Sequence, residues 1–154
     1  MKAVVQRVNR ASVRVDGQER GTIDHGLVVL LGVAVDDTQQ DAARLVDQIL
    51  KLRIFSDEHG KMNRSLTDVQ GGMMVVSQFT LFADTSKGNR PSFFGAAPPE
   101  PGRALYDKFV EHVRASVPAT ATGEFGAQME VELVNDGPVT IVLDTRTPLL
   151  RKEG

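Results

Sequence analysis

Residues 26–32 read G-L-V-V-L-L-G, an unbroken run of large apolar side chains. Successive side chains of a strand point to opposite faces, so a run apolar in both phases predicts a central strand covered on both sides. A chain holding such a strand needs one packing layer above it and another below. Residues 73–82, M-M-V-V-S-Q-F-T-L-F, follow Gly71-Gly72 and predict a second strand of core character.

The remaining periodicities supply the covering layers. Residues 38–54 place Ala42, Val46, Ile49 and Leu52 at helical spacing, and Thr38-x-x-Asp41 resembles a capping box at the start. Residues 103–117 carry Leu105, Phe109, Val113 and Val117 on one helical face and stop before Pro118. Near the N-terminus Val4, Val5 and Val8 lead to Ala11, Val13 and Val15, which alternate with Ser12 and Arg14 and end at the hairpin signal Asp16-Gly17. Met129, Val131 and Leu133 alternate with Glu130 and Glu132, and Val139, Ile141 and Leu143 repeat that pattern. Residues 83–102 are rich in Gly, Pro, Ser and Asn, and no element is assigned there. Strands, helix, strand, helix, strands is an α+β order with a mixed or largely antiparallel sheet. The 154 residues suffice for a single domain, 1–154, with a full core.

Composition narrows the chemistry. Without cysteine there is no disulfide, thiolate metal site or cysteine nucleophile, which suits a reducing cytoplasm. The apolar run over 27–35 falls well short of the ~20 residues a membrane helix needs, so no membrane partner is expected. A net charge of −2 gives no overall field for nucleic acid, DNA included, so any RNA contact must be local. Small basic groups do recur (Arg7, Arg10, Arg14; Lys51, Arg53; Lys87, Arg90), most simply as solvated faces. His25, His59 and His112 are isolated from partners at ligand spacing, and Met62 follows Gly60-Lys61 where a phosphate loop needs Ser or Thr. Neither a metal nor a cofactor is expected.

Two stretches resist a purely structural reading. Ser77, Gln78 and Thr80 interrupt an apolar strand, and a buried hydroxyl or amide without a partner costs about 1–3 kcal/mol. Each alone could bridge neighbouring backbone; the three together read as the lining of a pocket at a strand end. The second stretch is Asn135-Asp136-Gly137-Pro138-Val139-Thr140. By turn chemistry Asp136-Gly137 makes a hairpin and Pro138 opens the next strand. Alternatively, a cis Gly137-Pro138 bond would present a rigid rim of carbonyls with no Cβ at the glycine.

Ser77-Gln78-Phe79-Thr80-Leu81, taken with residues 135–140, resembles the D-aminoacyl-tRNA deacylases, homodimeric chiral-proofreading enzymes. Gln6-Arg7-Val8, Ala11-Ser12-Val13, Gly60-Lys61-Met62-Asn63 and Lys87-Gly88-Asn89-Arg90-Pro91-Ser92-Phe93 add to the likeness, which runs from Met1 to about Thr145. The resemblance implies a barrel-like β structure with flanking helices and an active site at the dimer interface. It also implies a cis Gly137-Pro138 that reaches into the partner's pocket and is braced by Arg7. Ser77, Gln78, Phe79 and Thr80 would form the catalytic stretch, whose backbone N–H groups hold the oxyanion. Thr80 would be either the nucleophile or a positioning group for water assisted by the substrate's ribose 2′-hydroxyl. Phe125 and Met129 match positions where the terminal adenosine or the filter packs. The substrate would be D-aminoacyl-tRNA, with glycyl-tRNA also accepted. A non-catalytic tRNA-end-binding dimer, or an editing enzyme with a trans Gly-Pro bond, are the alternatives. Residues 146–154 depart from the family's ending and are expected to be a tail.

Overall fold

The computed structural model describes residues 1–147. Eight strands and two helices follow one another: β1 (Lys2–Val15), β2 (Gln18–Ile23), β3 (Gly26–Gly32), α1 (Gln39–Lys51), β4 (Phe55–Ser56), β5 (Met62–Arg64), β6 (Gly72–Ser77), α2 (Pro99–Arg114), β7 (Thr120–Thr122) and β8 (Met129–Asp144). A 3-10 turn, Phe79–Phe82, stands between β6 and α2. The architecture is the expected α+β, a mixed sheet nearly closed into a barrel with two flanking helices.

Strand β1 organises the sheet. One edge pairs antiparallel with β3 over Lys2–Val8 and with β2 over Ala11–Val15, while the other pairs antiparallel with β8 along its length. Strands β3, β6 and β7 then run parallel, and β7 comes back towards β2. The Asp16-Gly17 turn joins β1 to β2 with positive φ at both residues, 52° and 75°, the backbone of a type I′ hairpin. Where β3 and β6 begin, a Cβ on Gly26 would lie 1.9 Å from the Gly72 carbonyl oxygen, so only glycine allows the two backbones to meet there.

The two apolar runs are buried on both faces, as their pattern requires. Leu27, Val29, Leu31, Met73 and Val75 face Ala42, Leu45 and Ile49 of α1 and Phe109 and Val113 of α2. The alternate residues Val28, Met74 and Val76 face inward with Val8, Ala11, Val13 and Ile23. One strand pair therefore serves two cores. Fully burying each of these side chains is worth about 1.5–3 kcal/mol relative to exposure, so the pair is the main stabilising unit.

Helix α1 has the predicted capping box: Asp41 N–H donates to Thr38 Oγ1 at 3.3 Å, and Thr38 N–H donates back to the Asp41 carboxylate at 2.8 Å. Helix α2 begins four residues earlier than the expected Arg103, at Pro99. A proline in the first turn gives up an N–H that has no intrahelical acceptor anyway. Thr145 N–H donates to the Met1 carbonyl, and Arg146, the first residue of the expected tail, pairs with Asp36, so the chain there is tied to the N-terminal half. Its remainder, 148–154, lies outside the described residues. No described helix is long and apolar enough to cross a membrane.

Candidate active site

The polar stretch at the end of β6 is not strand through residue 82. Leu31 is the register partner of Ser77, and the Gln78 N–H still reaches the Leu31 carbonyl at 2.7 Å, but β3 ends at Gly32 and offers no further partner. The chain then winds into the 3-10 turn, with Leu81 N–H donating to Gln78 O and Ala83 N–H to Thr80 O. Leu81 and Phe82 fold back onto Gly32. An apolar run this short does not distinguish strand from helix, and the loss of a ladder partner decides here.

That turn exposes chemistry which a strand would hide. The first amides of any helical turn lack an acceptor within it. Among the described residues, the Phe79 and Thr80 N–H groups have none elsewhere. Beside them the Gln78 side-chain amide donates to Thr80 Oγ1, fixing the hydroxyl's position. Thr80 is exposed, and Phe79 is 58% exposed with its ring edge against Phe93. Two open amide donors and one oriented hydroxyl at a strand end can stabilise a developing oxyanion. No histidine serves as a base in this turn: His25 packs on Phe55 just before β3, His59 lies between β4 and β5, and His112 is on α2. Among the described residues no group of three or more His, Cys, Asp or Glu could hold a metal ion.

Residues 135–140 do not form a hairpin. Both arms of β8 pair with β1 in one direction, Asn135 opposite Val8 and Thr140 opposite Gln6, so residues 136–139 stand out as a bulge over Arg7. The Gly137-Pro138 bond is cis, and both residues are exposed at the tip. Asn135 ties the base shut, its Nδ2 donating to the carbonyls of Arg7 at 2.9 Å and Val139 at 3.1 Å. Arg7 is the buried charged residue of the described chain, 8% exposed. Its Nη1 donates to Ile54 O at 2.6 Å, and its Nε lies 3.0 Å from Asp136 Oδ2, an ion pair without hydrogen-bond alignment. A Cβ on Gly137, whose φ is +116°, would come within 3.0 Å of Arg7 Nη2. The guanidinium therefore sits directly beneath the exposed dipeptide.

Phe125 lies between β7 and β8, and Met129 opens β8. Phe125 follows β7, whose Thr122 pairs with Val75, so it flanks the same strand end as Ser77. Its ring lies 5.6 Å from that of Tyr106 and 5.1 Å from the Arg103 guanidinium. Met129 packs against Gly123 and the inner core. Tyr106 donates its hydroxyl to Val75 O at 2.8 Å, and burial pushes its phenol up to about 12.

The registers separate the two motifs. Ser77 is level with Leu31 and Ala3, whereas Arg7 is level with Leu27. Four residues along a strand and three strand spacings between β8 and β6 put the dipeptide about 20 Å from the 3-10 turn of its own chain. The sequence by itself assigns Asn135 and Asp136 no part in the site. The readiness of Asn to bond nearby backbone is the available signal for Asn135, whereas nothing local marks Asp136 for its pairing with Arg7.

The family model described as D-Tyr-tRNA(Tyr) deacylase matches residues 4–144. The chain belongs to the D-Tyr-tRNA(Tyr) deacylase family. That makes it an enzyme of an aminoacyl-tRNA ester hydrolase family. A relative from Variovorax paradoxus (strain S110), named D-aminoacyl-tRNA deacylase, is 61% identical over 93% of this chain and 98% of its own length. Another of the same name, from Ectopseudomonas mendocina (strain ymp), is 57% identical over 94% of this chain and 99% of the relative. Among solved structures, one titled "c-Myc DNA Unwinding Element Binding Protein" aligns with a TM-score of 0.89 at 46% identity, over 96% of this chain and 99% of that one. A second, titled as a probable eukaryotic D-amino acid tRNA deacylase, aligns with a TM-score of 0.81 at 18% identity, over 92% of this chain and 97% of that one, and supports the fold alone.

Proposed function

We propose that this family member hydrolyses the ester of D-aminoacyl-tRNA in a site completed by a second copy of the chain. The supporting observation is the separation of its two exposed motifs. A protruding backbone rim about 20 Å from the amide donors of its own chain cannot act on the same small substrate, whereas a partner's rim can. The two copies would form a homodimer in the cytoplasm, with the tRNA 3′ end as the macromolecular partner.

In this reading Gly137 and Pro138 of one copy face Ser77, Gln78, Phe79 and Thr80 of the other, with Phe125 and Met129 lining the approach of the terminal adenosine. Hydrophobic pockets discriminate by only ~1–3 kcal/mol per methylene, too little to spare every L-residue while accepting many D-residues. Main-chain carbonyls that hold the substrate's amino group read configuration at Cα instead, leaving no volume for an L-side Cβ. Arg7, Asp136 and Asn135 keep that rim stiff.

Water attacks the ester carbonyl carbon. Its proton passes by way of the substrate's 2′-hydroxyl, and the carbonyl–oxygen bond to the ribose breaks as that oxygen is protonated. The products are free tRNA and the D-amino acid. The Phe79 and Thr80 amides would hold the oxyanion, at about 2.7–4 kcal/mol per donor. Thr80, with its hydroxyl engaged by Gln78 and no base beside it, acts as a positioning residue, because an unactivated hydroxyl is a weak nucleophile.

Release of amino acid from D-tyrosyl-, L-tyrosyl- and glycyl-tRNA tests the reading. D-tyrosyl and glycyl esters are expected to be cleaved and the L-ester spared. Failure to cleave the D-ester removes the function, and a spared glycyl ester removes the purely steric filter.

A further inference from the structure

The segment between the 3-10 turn and α2 carries side chains that the proposed chemistry does not use. Asp84 and Ser92 exchange backbone hydrogen bonds at 2.8 and 2.9 Å, closing residues 85–91 into a projecting loop. Exposed Lys87 and Arg90 lie on it, and among the described residues neither takes part in an ion pair. Directly beyond its base stand Phe93, whose ring meets Phe79, and Phe94, which is 95% exposed. Val35, 62% exposed, joins this surface through its N–H bond to Gly95 O. Lys2 lies over the Phe82 ring at 4.9 Å.

An aromatic side chain with almost no cover has no packing role in the chain that carries it. Apolar exposure of this kind marks a docking surface. Its charge decides the occupant: Lys2 lies over Phe82, and Lys87 and Arg90 stand on the loop whose base leads into Phe93 and Phe94, against Asp84 at that base, whose carboxylate Ser86 holds below its ordinary value. Cations beside an aromatic face suit phosphates and unpaired bases, whereas the same patch of a second copy, meeting it across a two-fold axis, would set like charge against like. With an overall charge of −2, RNA contact is left to local basic patches such as this one.

We infer that Phe94 stacks on an unpaired nucleotide just upstream of the terminal adenosine, with Lys87 and Arg90 holding the adjoining phosphates. The inference deepens the proposed function, since an ester reacting at the 3-10 turn sits at the end of a single strand and the Phe79–Phe93 contact brings this surface beside that turn.

Binding of a fluorescein-labelled RNA hairpin that carries no amino acid tests it without reference to hydrolysis. One probe has a short unpaired 3′ end and the other is blunt. Phe94→Ala is expected to weaken the overhang probe about fivefold or more, with Phe94→Trp restoring it, while Lys87→Gln with Arg90→Gln should flatten the log–log salt dependence by about 1.4, or 0.7 per lost phosphate contact. Equal binding of both probes by wild type, or no change in the variants, overturns the inference. A shift in sedimentation velocity on Phe94→Ala also overturns it, by making the patch an interface between copies. If wild type binds the overhang yet cleaves no D-tyrosyl-tRNA, the catalytic reading falls and this one stands.

Discussion

Replacing Gly137 by alanine perturbs the proposed filter at its tip. The new Cβ would sit 3.0 Å from Arg7 Nη2 and Val139 Cγ2 and 3.3 Å from Val139 N, at a φ of +116° that L-residues rarely adopt. Backbone strain of this sort costs about 1–3 kcal/mol. Arg7 cannot yield cheaply, because its Nη1 is bonded to Ile54 O at 2.6 Å and its Nε is paired with Asp136. Movement therefore falls on the rim. A displacement near 1 Å costs up to about 100-fold in rate where geometry controls reaction, while the strain lowers Tm by about 2–12 °C for a domain of this size. Gly137→Ala should thus lose at least tenfold in kcat/KM on D-tyrosyl-tRNA and discriminate less against the L-ester, with the far-ultraviolet circular dichroism spectrum intact. Wild-type kcat/KM and D/L ratio in a protein carrying this substitution would refute the reasoning.

Thr80→Ala should retain substantial single-turnover hydrolysis, while a 2′-deoxy terminal adenosine should abolish it; complete loss in the variant would make Thr80 the nucleophile. Thr38→Ala removes an N-cap and should lower stability by about 0.5–2 kcal/mol in a denaturant melt. The Asp41 carboxylate is held below its ordinary value chiefly by the Thr38 backbone N–H, so its contribution is present above the unfolded value near 3.8 and is lost as pH falls through the lower folded one. The stability deficit of Asp41→Asn should accordingly shrink in melts taken below about pH 4. Tyr106→Phe should cost about 1 kcal/mol for the lost bond to Val75 O. Because the folded phenol is raised to about 12 from 10.0, wild-type stability from this group is complete below 10 and lost as pH rises through 12, a loss absent from Tyr106→Phe.

Local patterns carried much of this molecule. Runs apolar in both phases, over 26–32 and 73–76, have no stable place except between two layers, and Thr38 with Asp41 fixes a helix start through bonds spanning three residues. The two motifs that resemble the family were legible for the same reason, since they are contiguous. Three features depended on partners distant in sequence. Residues 79–82 wind into a turn because β3 ends at Gly32, and residues 136–139 form a bulge because both arms of β8 find their ladder on β1. Arg7 becomes a buried brace because the Ile54 carbonyl and Asp136 arrive from elsewhere. Sequence determines how each segment can satisfy itself, through periodicity and caps. Tertiary structure decides which backbone groups find partners and which amides and carbonyls are left open to a substrate, because hydrogen-bond partners between strands are set by register across the whole sheet.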